Sequence, residues 1–215
     1  MKRTIIAAAL AIAAISSAQA SITGLNNTGT GASGTLDGSY KLTVVSSNDT
    51  ISATVPTITY DNQWPLSPWL ANTEVSKWIT PTATQSQSLD AWNSGTYTYS
   101  LSFDLTGYNA ASAYFTGRLA ADNSVVVKLN DQTISTANGF TDWTSFAASS
   151  GFVSGLNTLD FVVTNWAQSS GNPTGLRVEF ASSDVAAAVP EPETYAMMLA
   201  GVALLGFVAR RRKAA

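Results

Sequence analysis

The side chains able to do chemistry are few, and two of the most useful are missing. The chain has no histidine and no cysteine. Without histidine the usual general base is gone, and with it the Ser-His-Asp arrangement. Without cysteine there are no disulfides, thiolate nucleophiles or thiolate metal sites. Carboxylate-pair chemistry is the main route left, and glycoside hydrolysis by that route needs two carboxyl groups roughly 5–10 Å apart across a cleft. Glutamate is scarce: ahead of the C-terminal tail only Glu74 and Glu179 occur. Glu179 alternates with apolar residues beside Arg177 and is expected on a solvated strand face, while the aspartates fall mostly at turns. No catalytic residues are assigned, and an enzyme is not expected.

Binding chemistry is better supplied. Six tryptophans occur, Trp64, Trp69, Trp78, Trp92, Trp143 and Trp166. Indole faces stack on the apolar faces of sugar rings, so exposed tryptophans would suit a carbohydrate. The commoner use of tryptophan is to fill a core, and that is expected for most of the six. The run Trp64-Pro65-Leu66-Ser67-Pro68-Trp69 stands apart, because two prolines stiffen a loop holding two indoles. Such a loop either presents its rings to a ligand or caps one end of the core; the cap is expected. Asp122, Asn123 and Asn130 gather oxygens near strand ends that could hold Ca²⁺ or bond sugar hydroxyls. Their ordinary use is to stabilise turns through side-chain-to-backbone bonds. Asn165-Trp166, followed by the loop 168–171, is a similar candidate. No cofactor is expected; a structural Ca²⁺ is the one ion these residue types suit, and no metal ligands are assigned.

The elements that must position these groups read as strands. Tyr97, Tyr99, Leu101, Phe103 and Leu105 alternate with Thr98, Ser100, Ser102 and Asp104, the period of a half-buried strand. Val125, Val127 and Leu129 repeat the pattern, as do Leu159, Phe161 and Val163, then Leu176, Val178 and Phe180. Asn130-Asp131 suits a tight hairpin turn, since both residues tolerate positive φ. Loops are expected at 24–34, 138–139, 151–157 and 169–175, where glycine and asparagine cluster. No stretch of helical period interrupts this pattern, which predicts one all-β domain over residues 21–185, a single antiparallel β-sandwich of jelly-roll type. Residues 21–39 are left open between a first strand and a loose arm. Between residues 21 and 189 there are five basic and twelve acidic residues, so 5 − 12 = −7. A mildly acidic domain without clustered Lys and Arg is a poor partner for phosphate backbones, so no nucleic-acid partner is expected.

Both ends read as addresses. Lys2 and Arg3 precede the apolar run 5–15, and Ala18 and Ala20 place small residues where signal peptidase requires them. Residues 1–20 are therefore expected to be an export signal removed after Ala20; the run is far shorter than the ~20 residues of a membrane span. At the other end, residues 186–215 hold Pro190, Glu191 and Pro192, the apolar run 196–209, and Arg210, Arg211, Arg212 and Lys213. The prolines stop a helix and leave extended, accessible backbone. The apolar helix is short for a permanent span and suits a transient anchor, with its cations held on the cytoplasmic side.

These three parts, in this order, resemble the PEP-CTERM sorting signal of Gram-negative bacteria. That resemblance implies recognition by an exosortase, removal of the tail, and delivery to the cell surface or the extracellular matrix. It also implies a link to exopolysaccharide and biofilm. A second resemblance runs from Trp78 to Phe180, through Ala120-Ala121-Asp122-Asn123, Val127-Lys128-Leu129-Asn130, Gly155-Leu156-Asn157-Thr158-Leu159 and Asn172-Pro173-Thr174-Gly175. This order is similar to the galactose-binding-like jelly-roll sandwich found in exported bacterial proteins and glycosidase accessory domains. Asp131 stands where that pattern usually has glycine.

The functional expectation is a non-catalytic, glycan-binding protein of the exopolysaccharide matrix. Two rivals remain: a structural matrix or surface protein that binds no sugar, and a glycoside hydrolase using two facing carboxylates. Replacing Pro190 and Pro192 together is expected to leave the domain folded but mis-sorted. Surface labelling of producing cells checks this, and normal delivery of the variant would contradict the sorting assignment.

Overall fold

The computed structural model describes residues 19–188 and 192–213. The signal segment with Ala18, and Pro190 and Glu191 of the sorting tripeptide, lie outside the described residues. Residues 19–188 form one compact unit, built from β1 (Gln19–Ala20), β2 (Tyr40–Ser46), β3 (Thr57–Ile58), β4 (Ile79–Thr80), β5 (Gly95–Asp104), β6 (Tyr114–Leu129), β7 (Gln132–Ala148), β8 (Leu156–Asn165) and β9 (Gly175–Ala186). All their pairings are antiparallel. The one described helix of the domain is a single 3-10 turn at Ala110–Ser112.

One strand belongs to both layers of the sandwich. The first half of β6, from Tyr114 to Asp122, pairs with β9. Its second half, from Ser124 to Leu129, pairs with β8. From β9 the ladder continues through β4 to β3, and from β8 through β5 to β2. The opposite edge of β6 is covered along its length by β7. The sheet thus folds on itself, and the apolar faces of its two arms meet. Phe146 of β7 and Phe161 of β8 meet near-perpendicularly at 5.8 Å between ring centroids, and Phe115 of β6 meets Phe146 at the same distance. Edge-to-face contacts of this kind add to the stabilisation that burial already gives.

The alternating residues read from the sequence are the ones that fill this core: Tyr97, Tyr99, Leu101, Val125, Val127, Leu159, Phe161, Val163, Leu176 and Val178 are all buried in it. The Asn130-Asp131 turn has positive φ at both residues, 48° and 66°, as a type I′ hairpin requires. Residues 21–39 run as an ordered arm. Ile22 enters the core, and Thr28 exchanges backbone and hydroxyl bonds with Val178.

Three expectations change. Asn138-Gly139, read as a loop, lies inside β7. No tryptophan is a member of the central core among the described residues; phenylalanine, tyrosine and aliphatic side chains fill it. Trp69 and Trp78 instead form a second cluster with Ala120 on the outer side of β6. Glu179 is not solvated: it is 5% exposed, and Arg177 is 1% exposed. The segment after Trp69 crosses over them. Arg177 Nε donates to Ser76 Oγ at 2.7 Å, and its other nitrogens reach the Ala71 carbonyl and Thr73 Oγ1. Ser76 Oγ donates to Glu179 Oε1 at 2.7 Å, and Arg118 Nε donates to Glu179 Oε2 at 2.7 Å. The face that alternation assigns to water is roofed by a segment a hundred residues away in sequence.

The second unit contains the helix α1 (Pro192–Lys213). It starts on Pro192, a favoured first position because proline needs no amide partner there. Met197, Val202, Leu204, Leu205 and Phe207 are exposed. Among the described residues no helix is long and apolar enough to cross a membrane.

Burial pushes the Glu179 carboxyl up, but bonds from Ser76 and Arg118 and the charges of Arg118 and Arg177 outweigh it and hold the group below the usual carboxylate value. A depressed acid contributes stability above its unfolded value and loses it as pH falls through the folded one. Glu179→Ala, which leaves Arg177 buried without its counter-charge, is expected to cost about 3–5 kcal/mol near pH 7. Urea unfolding at pH 7 should show this as a lower midpoint, with the gap from wild type narrowing below about pH 4. A variant as stable as wild type at pH 7 would contradict the clamp.

Candidate functional site

The candidate site lies where β6 passes from one layer to the other. Ala121 still pairs with Gly139 and Ser124 with Asn138, so Asp122 and Asn123 are two extra residues on the β6 side. A bulge of this kind bends the strand and re-aims its side chains. Gly139 opposite has φ of 103°, a conformation that costs other residues dearly. At the same level β8 has ended at Asn165 and β9 begins at Gly175. The loop between them, 166–174, and the loop 64–69 close around the bulge and leave a cleft of about 200 Å³.

Trp69 forms one wall. It is 4% exposed, its ring centroid lies 4.3 Å from that of Trp78, and its Nε1 donates to Asp122 Oδ2 at 2.8 Å. Gly175 makes room for it, since a Cβ there would stand 2.8 Å from the indole. Asp122 is 6% exposed and lines the cleft. Burial pushes its carboxyl up to about 6, with the Trp69 bond pulling the other way. Asn123 Oδ1 accepts from the Trp166 amide at 2.7 Å. Asn172 Nδ2 donates to the carbonyls of Leu89 at 2.7 Å and Trp166 at 2.9 Å. Gln168 Nε2 donates to the carbonyls of Ser170 and Gly171. These bonds fix the 166–172 backbone against the bulge.

The structure brings Trp64, Trp69, Asp122 and Asn123 to one cleft, with Trp166 joined to it through its backbone. Trp64 and Trp166 are 49% and 52% exposed. Within the 64–69 loop Trp69 caps apolar surface against Trp78 and Ala120, as expected, whereas Trp64 is half exposed. Asn165 sits behind the cleft, fully buried, with Nδ2 on Asp90 Oδ2 at 2.9 Å. Asn130 is elsewhere, bonded to the Gly151 carbonyl, Asn157 Oδ1 and the Thr158 amide. Asn157 and Asn165 bound β8 at opposite ends, roughly 25 Å apart for a strand of that length, so Asn130 does not share this cleft.

Sequence reasoning passed over Asn172, Phe140 and Pro173 on the cleft wall. The Gly171-Asn172-Pro173 run reads as a loop and as part of the resemblance to the galactose-binding-like sandwich, with no site role. It also passed over Asp90, which is fully buried and accepts from Tyr97 Oη at 2.6 Å and Ser47 Oγ at 2.7 Å. Burial first, then the bond to Asp90, raises the Tyr97 hydroxyl far above its usual value. This knot ties the loop before β5 to the ends of β2 and β8.

Chemically the cleft offers indole faces, amide groups and one carboxylate. Hydrolysis by a carboxylate pair needs a second one facing it, and the lining holds Asp122 alone. No group of three acidic side chains placed to hold a metal occurs among the described residues.

Residues 188–213 match the PEP-CTERM protein-sorting motif. No curated protein matches the chain. Among solved structures the chain is similar to TmCBM61 in complex with beta-1,4-galactotriose, at 13% identity and a TM-score of 0.42, covering 67% of this chain and 89% of that one. It is similar to a family 35 carbohydrate binding module from an environmental isolate, at 14% identity and a TM-score of 0.30, over 70% of this chain and 98% of that one. A third is the CBM36-1 domain of a multidomain xylanase from the hindgut metagenome of Trinervitermes trinervoides, at 13% identity and a TM-score of 0.29, over 69% and 99%. These likenesses are too remote to transfer a ligand. The C-terminal segment is a PEP-CTERM sorting signal, and it marks an exported protein targeted to the cell surface.

Proposed function

We propose that this protein is a non-catalytic glycan-binding component of the exopolysaccharide matrix, and that the cleft at the β6 bulge is where it holds sugar. The observation that carries the reading is a cleft lined by half-exposed Trp64 together with carboxylate and amide groups, Asp122, Asn123, Gln168 and Asn172, with the half-exposed Trp166 on the loop that forms its wall. Indole faces take the apolar faces of pyranose rings, and the polar wall takes their hydroxyls. The polar wall is held before a ligand arrives, by the Trp69–Asp122 bond and by the bond from the Trp166 backbone amide to Asn123, which lowers the ordering cost of binding.

In this reading signal peptidase cuts after Ala20 and an exosortase processes the tail at Pro190-Glu191-Pro192. The helix and its cations anchor the chain at the inner membrane only in transit, and the domain ends at the surface or in the biofilm matrix of a Gram-negative cell. The low charge of the domain, with abundant Ser, Thr and Asn, suits a neutral polysaccharide surroundings.

The test is retention of the full chain, in a mild non-ionic detergent, on an array of plant and bacterial polysaccharides. Selective retention is expected, and Trp64→Ala and Trp166→Ala should each weaken it at least tenfold, about 1.4 kcal/mol, with unchanged thermal melting. Folded protein that no glycan retains would overturn the reading in favour of a purely structural matrix protein.

A further inference from the structure

We infer that the cleft selects uncharged glycans against acidic ones and that Asp122 is the residue that sets this choice, an inference resting on the glycan-binding reading above. Asp122 is more than nine-tenths buried, yet it lines the cleft. Its Oδ2 accepts from Trp69; among the described residues no donor reaches Oδ1. Oδ1 is not one of the fully buried unpartnered atoms of the domain; it is open to the cleft, where a sugar hydroxyl can donate to it in place of water. A uronate, sulfate or phosphate brings a second negative charge to a site of low dielectric, where repulsion is felt more strongly than in water.

Nothing nearby relieves that repulsion. The loops that meet at this end, 47–49, 60–74, 88–94 and 166–174, contain no lysine or arginine. The nearest cation along the ladder is Arg177, two residues past the Gly175 that pairs with Asp122. Its guanidinium is spent on Ser76, Ala71, Thr73 and the Glu179 carboxylate and lies 4.7 Å over Trp143. On β6 itself, Arg118 is paired with Glu179 and lies 4.5 Å over Trp143, and Lys128 stands at the far end of the strand, opposite Asp160. Apart from the Tyr60 phenol, the titratable groups on the loops at this end are acids. Asp61, on the 60–74 loop, accepts from Asn72, and Glu74 follows on the same loop. Asp142 on β7 accepts from Thr141. Asp90 and Asp49 are bonded into the knot behind the cleft. A site built to hold an acidic sugar places a cation beside it; the lining of this one holds no cation and a single carboxylate, Asp122.

The burial that lifts Asp122 to about 6 gives the choice a pH dependence. Above that value the carboxylate repels anions; below it the neutral carboxyl does not. Uronates stay ionised at pH 5, because ordinary carboxylates titrate near 4, so acidification changes the protein and not the probe.

The experiment measures affinity of the full chain for matched polymers: galactan and polygalacturonate, mannan and polymannuronate, cellulose oligomers and their glucuronate counterparts. At pH 7.5 the neutral member of a retained pair should bind at least tenfold more tightly. That ratio should fall severalfold at pH 5, and it should fall at least tenfold at pH 7.5 in Asp122→Asn, an isostere that can still accept from Trp69. Equal binding of neutral and acidic members by wild type would overturn the inference and leave the glycan reading standing. A ratio unchanged both at pH 5 and in the variant would remove Asp122 from the role. The pH arm needs no variant, so it decides even if Asp122→Asn fails to fold. Retention of no polymer overturns both this inference and the reading on which it rests.

Discussion

The structure depends on β6 serving both layers of the sandwich. A strand that pairs with β9 in its first half and β8 in its second must turn between them, and its hairpin partner β7 must turn with it. The turn is made by two residues of β6 that have no partner on β7, Asp122 and Asn123, and by a glycine on β7 opposite them. Asp122 and Asn123 are therefore not free to be ordinary strand residues. They stand where both sheets diverge, with the ends of β8 and β9 open beside them, and a polar cleft results from the topology itself.

The rest of the molecule closes around that bend with polar knots and one cluster of charges, the buried Arg177 and Glu179 with Arg118. Asp90 ties three elements through Tyr97, Ser47 and Asn165. Asn172 ties the 166–174 loop to the loop before β5. Arg177 and Glu179 hold the segment that roofs the outer face of β6 and β9. A buried amide that donates to backbone carbonyls satisfies groups that loops otherwise leave orphaned. That is how a chain without disulfides keeps long irregular connections in place, and why the cleft walls are set before any ligand arrives.

Much of the fold was legible, and the illegible parts share a cause. Strand alternation in 97–105, 125–129, 159–163 and 176–180 is local, and it named the core directly. The Asn130-Asp131 turn is local too, because positive φ is a property of those residues. Glu179 was misjudged since alternation reports which face a side chain takes, not what later covers that face; its cover comes from Ser76 and its neighbours. Asn138-Gly139 punctuates a bend inside a strand, and residue type alone does not separate a bend from an end. Indole sizes suggested a tryptophan-rich core, whereas the core is phenylalanine and tyrosine, and the tryptophans divide between the outer cluster and the loops. Of the candidate site, Trp64, Trp69, Asp122 and Asn123 were named from sequence, but their convergence depends on contacts between distant segments, such as the fifty-three residues separating Trp69 from Asp122.

The most direct test of the central claim, that the bend of β6 creates the binding site, is titration of nitrogen-labelled protein with a retained neutral glycan while following the six indole N–H signals. The account predicts the largest saturable shifts at Trp64, Trp69 and Trp166, and a smaller one at Trp92, which sits on a neighbouring loop and does not line the cleft. Shifts confined to Trp92, or saturable binding that moves none of the three cleft signals, would place the ligand elsewhere and contradict it.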